Sequence, residues 1–467
     1  MRRLARTALV TGLSCTALLG STIGVASAST PTGVTPPATS RPAPSAKDAT
    51  RLITERIAPL ATAGGVSIDG AGYGSSFVAA PGSHYLFYGL TDRGPNVDGP
   101  NGTKIEPLPS FTPAIGEFLV LGDRAILLRR IPLRAADGTA YNGRVNTQAS
   151  TGETITDLSG TVLAPSPTGY DPEGLAVMRD GTFWVSDEYG PFITHFDRWG
   201  RQLERLSPYD GTLPAELKTR EPNRGMEGLT VTPDGTTLVG IMQSGLNAPD
   251  GPKAKNVGAV RIVTVDLKTR ATKEYAYLLH ETGDVSTSVS EIAALSNTEF
   301  LVDERDGNPE PGANKKLFKV SLTGATDLGP NATLPGSTYD ASKGGLLVGG
   351  STLEGIVRKG PTTTAAAALS NKGIAPVSST LFLDVAGLVS SIAPDGSFFG
   401  HDKVEGVAVL DGGRQVVISN DSDFGIGGVT GTTPPFQLVP KLQPNGKQDT
   451  GELLRVDMAK VPAQFRG

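Results

Sequence analysis

The chain has 467 residues, of which 38% are hydrophobic and 19% are charged, and its net charge is −5 at pH 7. This length is enough to bury a sizeable core, and the mildly acidic balance gives no electrostatic basis for a nucleic-acid partner. The 59 glycines and 35 prolines favour many short strands and tight turns over long helices.

The first 28 residues have the three regions of a signal peptide. Three arginines among the first six residues form a positive start, and the stretch Ala8–Val25 that follows contains no charge. Ala26-Ser27-Ala28 then matches the small-x-small pattern at which such a peptide is cleaved. A transmembrane anchor is the alternative, but the stretch is short and rich in Gly, Ser and Thr. We therefore predict a secreted, extracellular protein without stable membrane insertion after cleavage near Ala28.

The predicted domain boundaries follow from composition. Residues 29–48 are rich in Pro, Ser and Thr and contain few large apolar side chains, which is typical of a disordered linker. The low-complexity segment 360–376 is interpreted as a surface loop and not as a second linker. The sequence thus predicts a signal peptide (1–28), a linker (29–48) and one domain (49–467).

Cysteine and histidine are too scarce for a thiolate or zinc centre. The one cysteine, Cys15, lies inside the predicted signal peptide, so residues 29–467 contain no disulfide and no thiolate ligand. The histidines are far apart in sequence: His84, His195, His280 and His401. A metal would therefore be held mainly by oxygen ligands, which favours a hard divalent cation such as calcium.

A unit of two short apolar strands joined by a turn recurs along the chain. Four copies begin with a glutamate that leads into an apolar run: Glu173, Glu227, Glu291 and Glu405. In three copies an Asp-Gly pair follows, at Asp180-Gly181, Asp234-Gly235 and Asp411-Gly412. Asp-Gly between two apolar runs is a strong hairpin signal, because glycine adopts the positive φ of a tight turn. A weaker fifth copy starts at Ser75 and ends near Asp92.

Repeats of several strands each predict an all-β fold of the β-propeller class. Five blades are visible, and the long intervals before the first strong copy and before the last one leave room for five to seven. A pair of β-sandwiches and a solenoid are the alternatives. We also expect the end strand Leu453–Asp457 to pair with Leu52–Leu60 and to close the ring.

The acidic residues of the repeats would meet at one mouth of a propeller's central channel. The repeat glutamates would form a ring there, and the second strands would end at further acids: Asp92, Asp187, Glu188, Asp303, Glu304, Asp306, Asp421 and Asp423. Converging carboxylates repel one another, so such a cluster needs cations. Basic residues accompany it: Arg93, Arg224, Arg305 and Lys403. The alternative is that the acids only accept hydrogen bonds from loop backbone and brace the turns.

Motifs of other hydrolases and of nucleotide-binding proteins are missing from the sequence. It contains no Gly-x-Ser-x-Gly elbow, no Gly-x-x-x-x-Gly-Lys-Ser/Thr loop and no His-Glu-x-x-His. His195 and His401 lie near repeat motifs and are candidate general acids, although a lone loop histidine more often makes a structural hydrogen bond. The acidic and basic residues together suit an anionic, phosphate-like substrate held through a divalent cation and side-chain donors.

Six segments of the repeats resemble motifs of the phytase-like family, also called "esterase-like activity of phytase". They are Asp92-Arg-Gly-Pro-Asn96, Tyr170-Asp-Pro-Glu-Gly-Leu175, Ser186-Asp-Glu-Tyr-Gly-Pro191, Asn223-Arg-Gly-Met-Glu-Gly-Leu229, Lys403-Val-Glu-Gly-Val407 and Asn420-Asp-Ser-Asp-Phe-Gly425. The resemblance extends over residues 60–460, which is nearly the whole predicted domain.

The resemblance implies a phosphoric-ester hydrolase in which recurring Glu and Asp residues carry the activity. The expected catalytic residues are Glu173, Glu227, Glu291 and Glu405. The expected ligands of a small anionic phosphate-ester substrate are Arg93, Arg224, Arg305 and Lys403. The expected ligands of a divalent cation, calcium, are Asp92, Asp171, Asp187, Glu188, Asp303, Glu304, Asp421 and Asp423. Two alternatives remain open: a propeller lactonase, and a non-catalytic module that binds calcium or wall polymers.

Overall fold

Short strands and Gly-containing turns make the fold almost entirely β. The computed structural model describes residues 45–149, 152–280 and 287–467. The predicted signal peptide and linker residues 29–44 lie outside the described residues. Among the residues that the structure describes, no helix combines the length and the apolar character that crossing a membrane requires.

The strands of the described residues alternate with short turns along the whole domain. In the first half they are β1 (Thr50–Glu55), β2 (Ala61–Ala63), β3 (Val66–Ile68), β4 (Ser76–Ala79), β5 (Leu86–Leu90), β6 (Val97–Asp98), β7 (Thr103–Ile105), β8 (Ala114–Leu121), β9 (Arg124–Pro132), β10 (Thr154–Thr156), β11 (Pro172–Val177), β12 (Phe183–Asp187), β13 (Ile193–Phe196) and β14 (Gln202–Leu206). In the second half they are β15 (Met226–Val231), β16 (Thr237–Met242), β17 (Ala259–Asp266), β18 (Thr272–Leu278), β19 (Ser288–Ala294), β20 (Glu299–Arg305), β21 (Lys315–Ser321), β22 (Ser337–Asp340), β23 (Gly345–Val348), β24 (Ser378–Asp384), β25 (Val404–Leu410), β26 (Gln415–Asn420), β27 (Ile426–Thr430), β28 (Gln437–Pro440) and β29 (Glu452–Asp457).

The α-helices of the described residues are short: α1 (Ala46–Ala49), α2 (Leu353–Ile356), α3 (Thr362–Ser370) and α4 (Val385–Ile392). The 3₁₀ turns are Pro100–Gly102, Ala215–Thr219, Ala254–Asn256, Ala341–Lys343, Asp411–Gly413, Asp423–Gly425 and Ala463–Phe465. Two helices correct the sequence expectations. Residues 46–48 of the predicted linker belong to α1, because Ser45 and Asp48 form a capping box and Ala46 packs into a hydrophobic cluster. The expected loop at 360–376 contains α3, whose run of alanines has high helix propensity.

Twenty of the strands form five antiparallel four-stranded meanders, called modules 1 to 5. Module 1 is β4-β5-β8-β9, module 2 is β11-β12-β13-β14, module 3 is β15-β16-β17-β18, module 4 is β19-β20-β21-β24 and module 5 is β25-β26-β29-β1. Each module begins with the two strands of one sequence repeat. Modules 1 and 5 are joined into one eight-stranded sheet by a short parallel pairing of β1 with β9.

Consecutive modules face one another across separate hydrophobic clusters. Five such clusters lie between modules 1 and 2, 2 and 3, 3 and 4, 4 and 5, and 5 and 1. The first strands of the modules also contact one another in that order, and β25 of module 5 contacts β4 of module 1. Among the described residues the modules therefore follow one another in a closed ring, with their first strands innermost.

The ring is closed by the pairing of the two ends of the domain. The prediction that the last strand pairs with a strand near residue 52 is confirmed: β1 and β29 are antiparallel, and Leu52 lies opposite Leu454. Residues 56–60, which we expected in the same strand, lie beyond its end. The long intervals between repeats contain the outer strands of modules 1 and 4. They also contain small hairpins and helices.

The glycine after a repeat glutamate lets neighbouring first strands approach closely. A Cβ on Gly174 of β11 would lie 2.3 Å from the backbone nitrogen of Leu229 in β15. A Cβ on Gly228 would lie 2.5 Å from the nitrogen of Ile292, and one on Gly406 would lie 2.3 Å from the nitrogen of Phe77. Real Cβ atoms do not come this close, so the glycines make a narrow waist in the ring, just inside the glutamates.

Candidate functional site

A cavity of about 590 Å³ opens on the side of the ring where the first strands begin and the second strands end. It is lined almost entirely by polar side chains. The acids are Asp92, Asp98, Glu153, Asp171, Glu173, Glu188, Glu227, Asp402, Glu405, Asp421 and Asp423, and the bases are Arg93, Lys104, Arg224, Arg305, Lys403 and Lys441. The excess of carboxylates decides the electrostatics of the cavity.

Three of these carboxylates form one compact cluster. Asp171, Glu173 and Glu188 each offer a carboxylate oxygen, and these oxygens all lie within 4.8 Å of one another. Burial, followed by the neighbouring carboxylates of Asp171 and Glu227, raises the pKa of Glu173 well above its ordinary value. No donor among the described residues bonds to the Glu173 side chain. Three converging carboxylate oxygens are the ligand set that hard divalent cations prefer.

Asp171 is held in the cluster from two sides. Its backbone N–H donates to Asp187 Oδ1 at 2.9 Å, and its own Oδ1 accepts from the backbone N–H of Arg93 at 3.1 Å. The guanidinium of Arg93 lies 3.5 Å from Asp171 Oδ2 and stacks over the Tyr189 ring at 5.2 Å. Arg93 also donates to Asn223 Oδ1 at 2.9 Å. These contacts fix Arg93, so it serves as a fixed counter-charge to Asp171.

Gln243 links the cluster to a fourth acid. Its Nε2 donates to Glu188 Oε1 at 2.8 Å and to Glu227 Oε1 at 2.9 Å. Glu227 Oε2 is buried and has no hydrogen-bond partner in the described part of the chain. Burial, followed by the charge of Glu405, raises the pKa of Glu227 to about 8. A carboxyl group in this state can hold a proton at neutral pH.

Glu405 forms an ion pair with Arg305. The Arg305 guanidinium donates to Glu405 Oε1, and its Nε donates to Ser290 Oγ at 2.8 Å. Burial raises the pKa of Glu405 to about 7, although Arg305 opposes that rise. Arg305 is therefore committed to a protein carboxylate.

Another part of the cavity contains two lysines that pair with aspartates. Lys403 Nζ donates to Asp421 Oδ2 at 3.0 Å and to Asp423 Oδ1 at 2.5 Å. Lys441 Nζ lies 2.6 Å from both Asp423 Oδ2 and Asp402 Oδ1. Although burial alone would raise it, these ammonium groups hold the pKa of Asp423 well below its ordinary value.

Arg224 differs from the other arginines of the cavity. Its one hydrogen bond from the guanidinium to a described residue is a weak contact of 3.5 Å with Ser288 Oγ. No carboxylate among the described residues forms an ion pair with it. Its remaining N–H groups are available to an anionic ligand in the cavity.

The chain matches the family described as "Phytase-like: Esterase-like activity of phytase" over residues 109–424, more than half of its length. This chain belongs to the phytase-like family. The match spans modules 2, 3 and 4 and reaches into the neighbouring two, so it includes most of the cavity.

Other comparisons found a curated sequence relative and several solved structures of low similarity to this phytase-like chain. An uncharacterized secreted protein of Arthroderma benhamiae is 31% identical over 232 aligned residues, which cover 39% of this chain and 45% of that protein. The chain thus aligns with less than half the length of this curated relative. Among solved structures, PorZ of the Porphyromonas gingivalis type-IX secretion system has a TM-score of 0.31 at 15% identity, covering 77% of this chain and 32% of PorZ. A putative oxidoreductase (glucose dehydrogenase) of Thermus thermophilus has a TM-score of 0.28 at 12% identity, covering 84% of this chain and 86% of that one.

Most of the residues predicted from the sequence of this phytase-like protein do line the cavity. They are Glu173, Glu227 and Glu405, Arg93, Arg224, Arg305 and Lys403, and Asp92, Asp171, Glu188, Asp421 and Asp423. The cavity brings them together from all five modules and their connecting loops.

Four residues with a predicted role lie elsewhere, and so does Asp306, whose buried carboxylate pairs with Lys315 at 2.9 Å. Glu291 is inside the waist, where it accepts from Ser76 Oγ at 2.6 Å and from the backbone N–H of Ile292 at 2.9 Å. Asp187 accepts backbone N–H groups and braces the loop after β12. Asp303 is fully buried without a donor among the described residues, and Glu304 accepts from Tyr277 and His280.

The two histidines considered as general acids also lie outside the cavity lining. His195 stacks on Trp184 with the ring centroids 4.3 Å apart. His401 is buried between Asp449, 2.9 Å from its Nδ1, and Glu452, 3.1 Å from its Nε2. Both make structural contacts of the kind expected of a lone histidine.

Strand ends explain which of the predicted acids reach the cavity. β12 and β16 stop one residue before Glu188 and Gln243, and these two side chains line the cavity. β20 is longer and continues to Arg305, so Asp303 and Glu304 are inside a strand and Arg305 reaches the cavity instead.

Sequence reasoning missed two important residues of the cavity. Gln243 follows the second strand of its repeat, the same place that Glu188 takes, and this position was its signal. Lys441 lies after β28, outside every repeat, and no pattern in the sequence pointed to it.

Proposed function

We propose that this chain is a secreted, divalent-cation-dependent hydrolase of phosphoric esters, with calcium as the cation. The observation that carries the proposal is the meeting, in one polar cavity, of the three-carboxylate cluster with an arginine that has no carboxylate partner among the described residues. The cluster suits a hard cation, and Arg224 suits the oxygens of an anionic substrate.

Asp171, Glu173 and Glu188 would hold the cation, which when bound supplies Lewis-acid polarisation of a phosphoryl oxygen and lowers the pKa of bound water. Arg224 binds the phosphoryl oxygens of a small anionic ester and orients the substrate. Arg93 and Arg305 keep Asp171 and Glu405 in place and add positive charge around the substrate. Lys403 has the same fixed character, because two carboxylates already bind it.

Glu227 is the best placed group for proton transfer. Gln243 fixes one of its oxygens at 2.9 Å, and the other is free of hydrogen-bond donors among the described residues. Its pKa of about 8 lets it donate a proton to a leaving oxygen near neutral pH. Glu405, paired with Arg305, would balance the charge that develops there.

The secreted location rests on the signal-peptide pattern of residues 1–28. It is supported by the relative from Arthroderma benhamiae, which carries the name "Uncharacterized secreted protein". The family description, esterase-like activity of phytase, supports ester hydrolysis, and the acidic cluster supports the need for a cation.

The fold that we propose for this activity is a five-bladed β-propeller, in which each module is one blade. The closed order of the hydrophobic clusters and the pairing of β1 with β29 support this assignment. The waist glycines would then separate the cavity from the opposite mouth of the channel.

Of the alternatives, the lactonase is disfavoured by the lining of the cavity. An uncharged lactone would bind best in a largely apolar pocket, whereas Val97, Pro222 and Ile426 are the main apolar residues here. A binding module without turnover remains the outcome that hydrolysis assays must exclude.

The test is hydrolysis of a panel of phosphate monoesters and diesters, phytate included, with added calcium and with a chelator. We expect turnover that calcium supports and the chelator abolishes. E173Q should lower kcat at least about 100-fold while circular dichroism stays unchanged. R224Q should mainly raise KM, by about 10-fold, because it removes a substrate contact.

R179Q is the matched control, since Arg179 is an exposed arginine that does not line the cavity. Folded protein that hydrolyses no phosphate ester with any divalent cation would refute the proposal. Hydrolysis of lactones alone, or calcium binding without turnover, would then favour one of the alternatives.

A further inference from the structure

The two parts of the cavity are neutralised in different ways. One part contains the carboxylates of Asp171, Glu173, Glu188 and Glu227. Among the described residues, Arg93 is the one arginine that forms an ion pair with any of these four. In the part formed by Asp402, Asp421 and Asp423, two ammonium groups are present, and that of Lys441 also lies 3.5 Å from Asp449, which does not line the cavity.

Building on the proposed function, we propose that the cavity takes a single divalent cation, at Asp171, Glu173 and Glu188, and that Lys403 and Lys441 stand in place of a second one. The lysines then serve as permanent charges of the protein. Asp421 and Asp423, which the sequence predicted as cation ligands, would form ion pairs with the lysines and would not bind a metal ion.

The lysine contacts leave little carboxylate capacity free. Both oxygens of Asp423 are taken, Oδ1 by Lys403 at 2.5 Å and Oδ2 by Lys441 at 2.6 Å. Asp421 Oδ2 accepts from Lys403, and its Oδ1 accepts from the backbone N–H of Asp423 at 2.9 Å. A cation entering here would have to displace an ammonium group from each carboxylate.

Asp402 and Asp449 also lie against Lys441. Asp402 Oδ1 lies 2.6 Å from Lys441 Nζ. Asp449 Oδ1 bonds to His401 Nδ1 at 2.9 Å, and its Oδ2 lies 3.5 Å from Lys441 Nζ. Counting Glu452, which also pairs with His401, five carboxylates share two lysines and a histidine, so the basic side chains offset up to three of the five negative charges.

The other part of the cavity has unused ligand atoms. Glu173 receives no hydrogen bond from the described residues. Glu227 is 3% exposed, and its Oε2 has no hydrogen-bond partner in the described chain. Its Oε1 accepts a hydrogen bond from the side-chain amide of Gln243, which also donates to Glu188. A buried acceptor without a donor costs free energy unless a cation or proton satisfies it. This second observation, which is independent of the three-carboxylate cluster, shows unused acceptor capacity on this side of the cavity and supports a cation here.

Calcium binding to the purified protein, measured by isothermal titration calorimetry, tests the inference directly. We expect one calcium ion per chain. E173Q should weaken its binding at least 10-fold, whereas D423N should change it less than 3-fold. Two or more ions per unmodified chain, or a 10-fold loss in D423N, would overturn the inference.

Removal of the lysines gives the complementary test. In K403M/K441M the carboxylates of Asp402, Asp421 and Asp423 lose their ammonium counter-charges, so we expect a second calcium ion to bind and the melting temperature to rise with calcium. K104M is the matched control, because Lys104 pairs at 2.6 Å with the exposed Asp98 at the rim. A folded double variant that still binds one ion contradicts the inference.

If the double variant does not fold even with calcium, K403M alone decides, since it frees Asp421 Oδ2 and Asp423 Oδ1. Its melting temperature should then rise with calcium more than that of K104M, and an equal response would contradict the inference. Hydrolysis is measured separately. One bound ion without turnover would leave this inference standing and refute the proposed function, whereas absence of any binding would refute both.

Discussion

Glu55 shows how strongly burial controls single carboxyl groups in this protein. It is the last residue of β1 and is only 7% exposed, and its Oε2 has no hydrogen-bond partner in the described chain. Burial, and secondly the charge of Asp69, raises the pKa of Glu55 to about 8. The folded protein therefore keeps Glu55 protonated at neutral pH, whereas an unfolded chain ionises it.

This difference predicts a pH-dependent cost to stability. The pKa of Glu55 in the folded protein lies above the unfolded value of about 4.5. The stabilisation of the folded state by neutral Glu55 is therefore fully present below pH 4.5 and is lost as the pH rises towards 8. E55Q removes the ionisation. We expect the melting temperature of E55Q, relative to the unmodified protein, to rise by several degrees between pH 5 and pH 8.

The measurement is a thermal melt at each pH, followed by circular dichroism. E299Q is the control, because Glu299 lies at the surface in an ion pair with Lys319 at 2.8 Å. A difference between E55Q and the unmodified protein that stays constant across this pH range would contradict the expected ionisation of Glu55.

At the scale of residues, the sequence predicted the composition of the cavity better than its pairings. Repeated glutamates such as Glu173 and Glu227 were visible, because each starts a strand that the ring aims at one mouth. The position of the Glu291 side chain depends on Ser76, a residue 215 positions away in sequence. The Ser76 hydroxyl donates a hydrogen bond to the Glu291 carboxylate inside the waist. Contacts between distant modules leave no local pattern in the sequence.

At the scale of elements, the repeated Glu-Gly pair joins the site to the packing of the modules. The glutamate side chain faces the cavity in modules 2, 3 and 5, and the glycine next to it lies against the backbone of the next first strand. Gly174 of β11 shows how tight this contact is, because a Cβ there would lie 2.3 Å from the backbone nitrogen of Leu229 and 2.6 Å from the hydroxyl of Ser186. Backbone cannot move aside without shifting a whole module.

We therefore expect G174A to destabilise the protein by about 3 kcal/mol through overpacking at the waist. Because β11 also carries Glu173, calcium binding should weaken as well. G428A is the matched control: a Cβ on Gly428 would meet no atom within 4 Å. Denaturant unfolding of both variants checks the prediction, and equal stability of G174A and G428A would show that the waist can yield.

The elements that begin each repeat were the most predictable, and a strand that follows a long insertion was the least predictable. Asp-Gly turns and apolar runs revealed the first two strands of the modules, for example β11 and β12, because a hairpin is encoded locally. The fourth strand of module 4, β24, comes after an insertion with β22, β23, α2 and α3. Its pairing with β21 depends on the surrounding sheet, so the insertion hid it.

At the scale of the whole molecule, one antiparallel strand pair ties the two ends of the domain together. β1 is the outer strand of module 5, although the other three strands of that module come from the end of the chain. Ile53 and Leu453 are fully buried in the cluster between modules 5 and 1. Loss of this pair would open the ring and expose two hydrophobic clusters at once, so closure supports the geometry of the cavity.

A disulfide across this strand pair should stabilise the ring. Arg51 lies opposite Arg455 in the register of β1 and β29, and residues 29–467 contain no native cysteine that could compete. R51C/R455C would close a loop of about 400 residues, for which the chain-entropy account gives about 6 kcal/mol, or a rise of about 7 °C in melting temperature. Melts with and without reductant measure the effect, and R51C alone controls for the lost arginine. A disulfide that forms but leaves the melting temperature unchanged would mean that unfolding begins elsewhere in the ring, with β1 and β29 still paired.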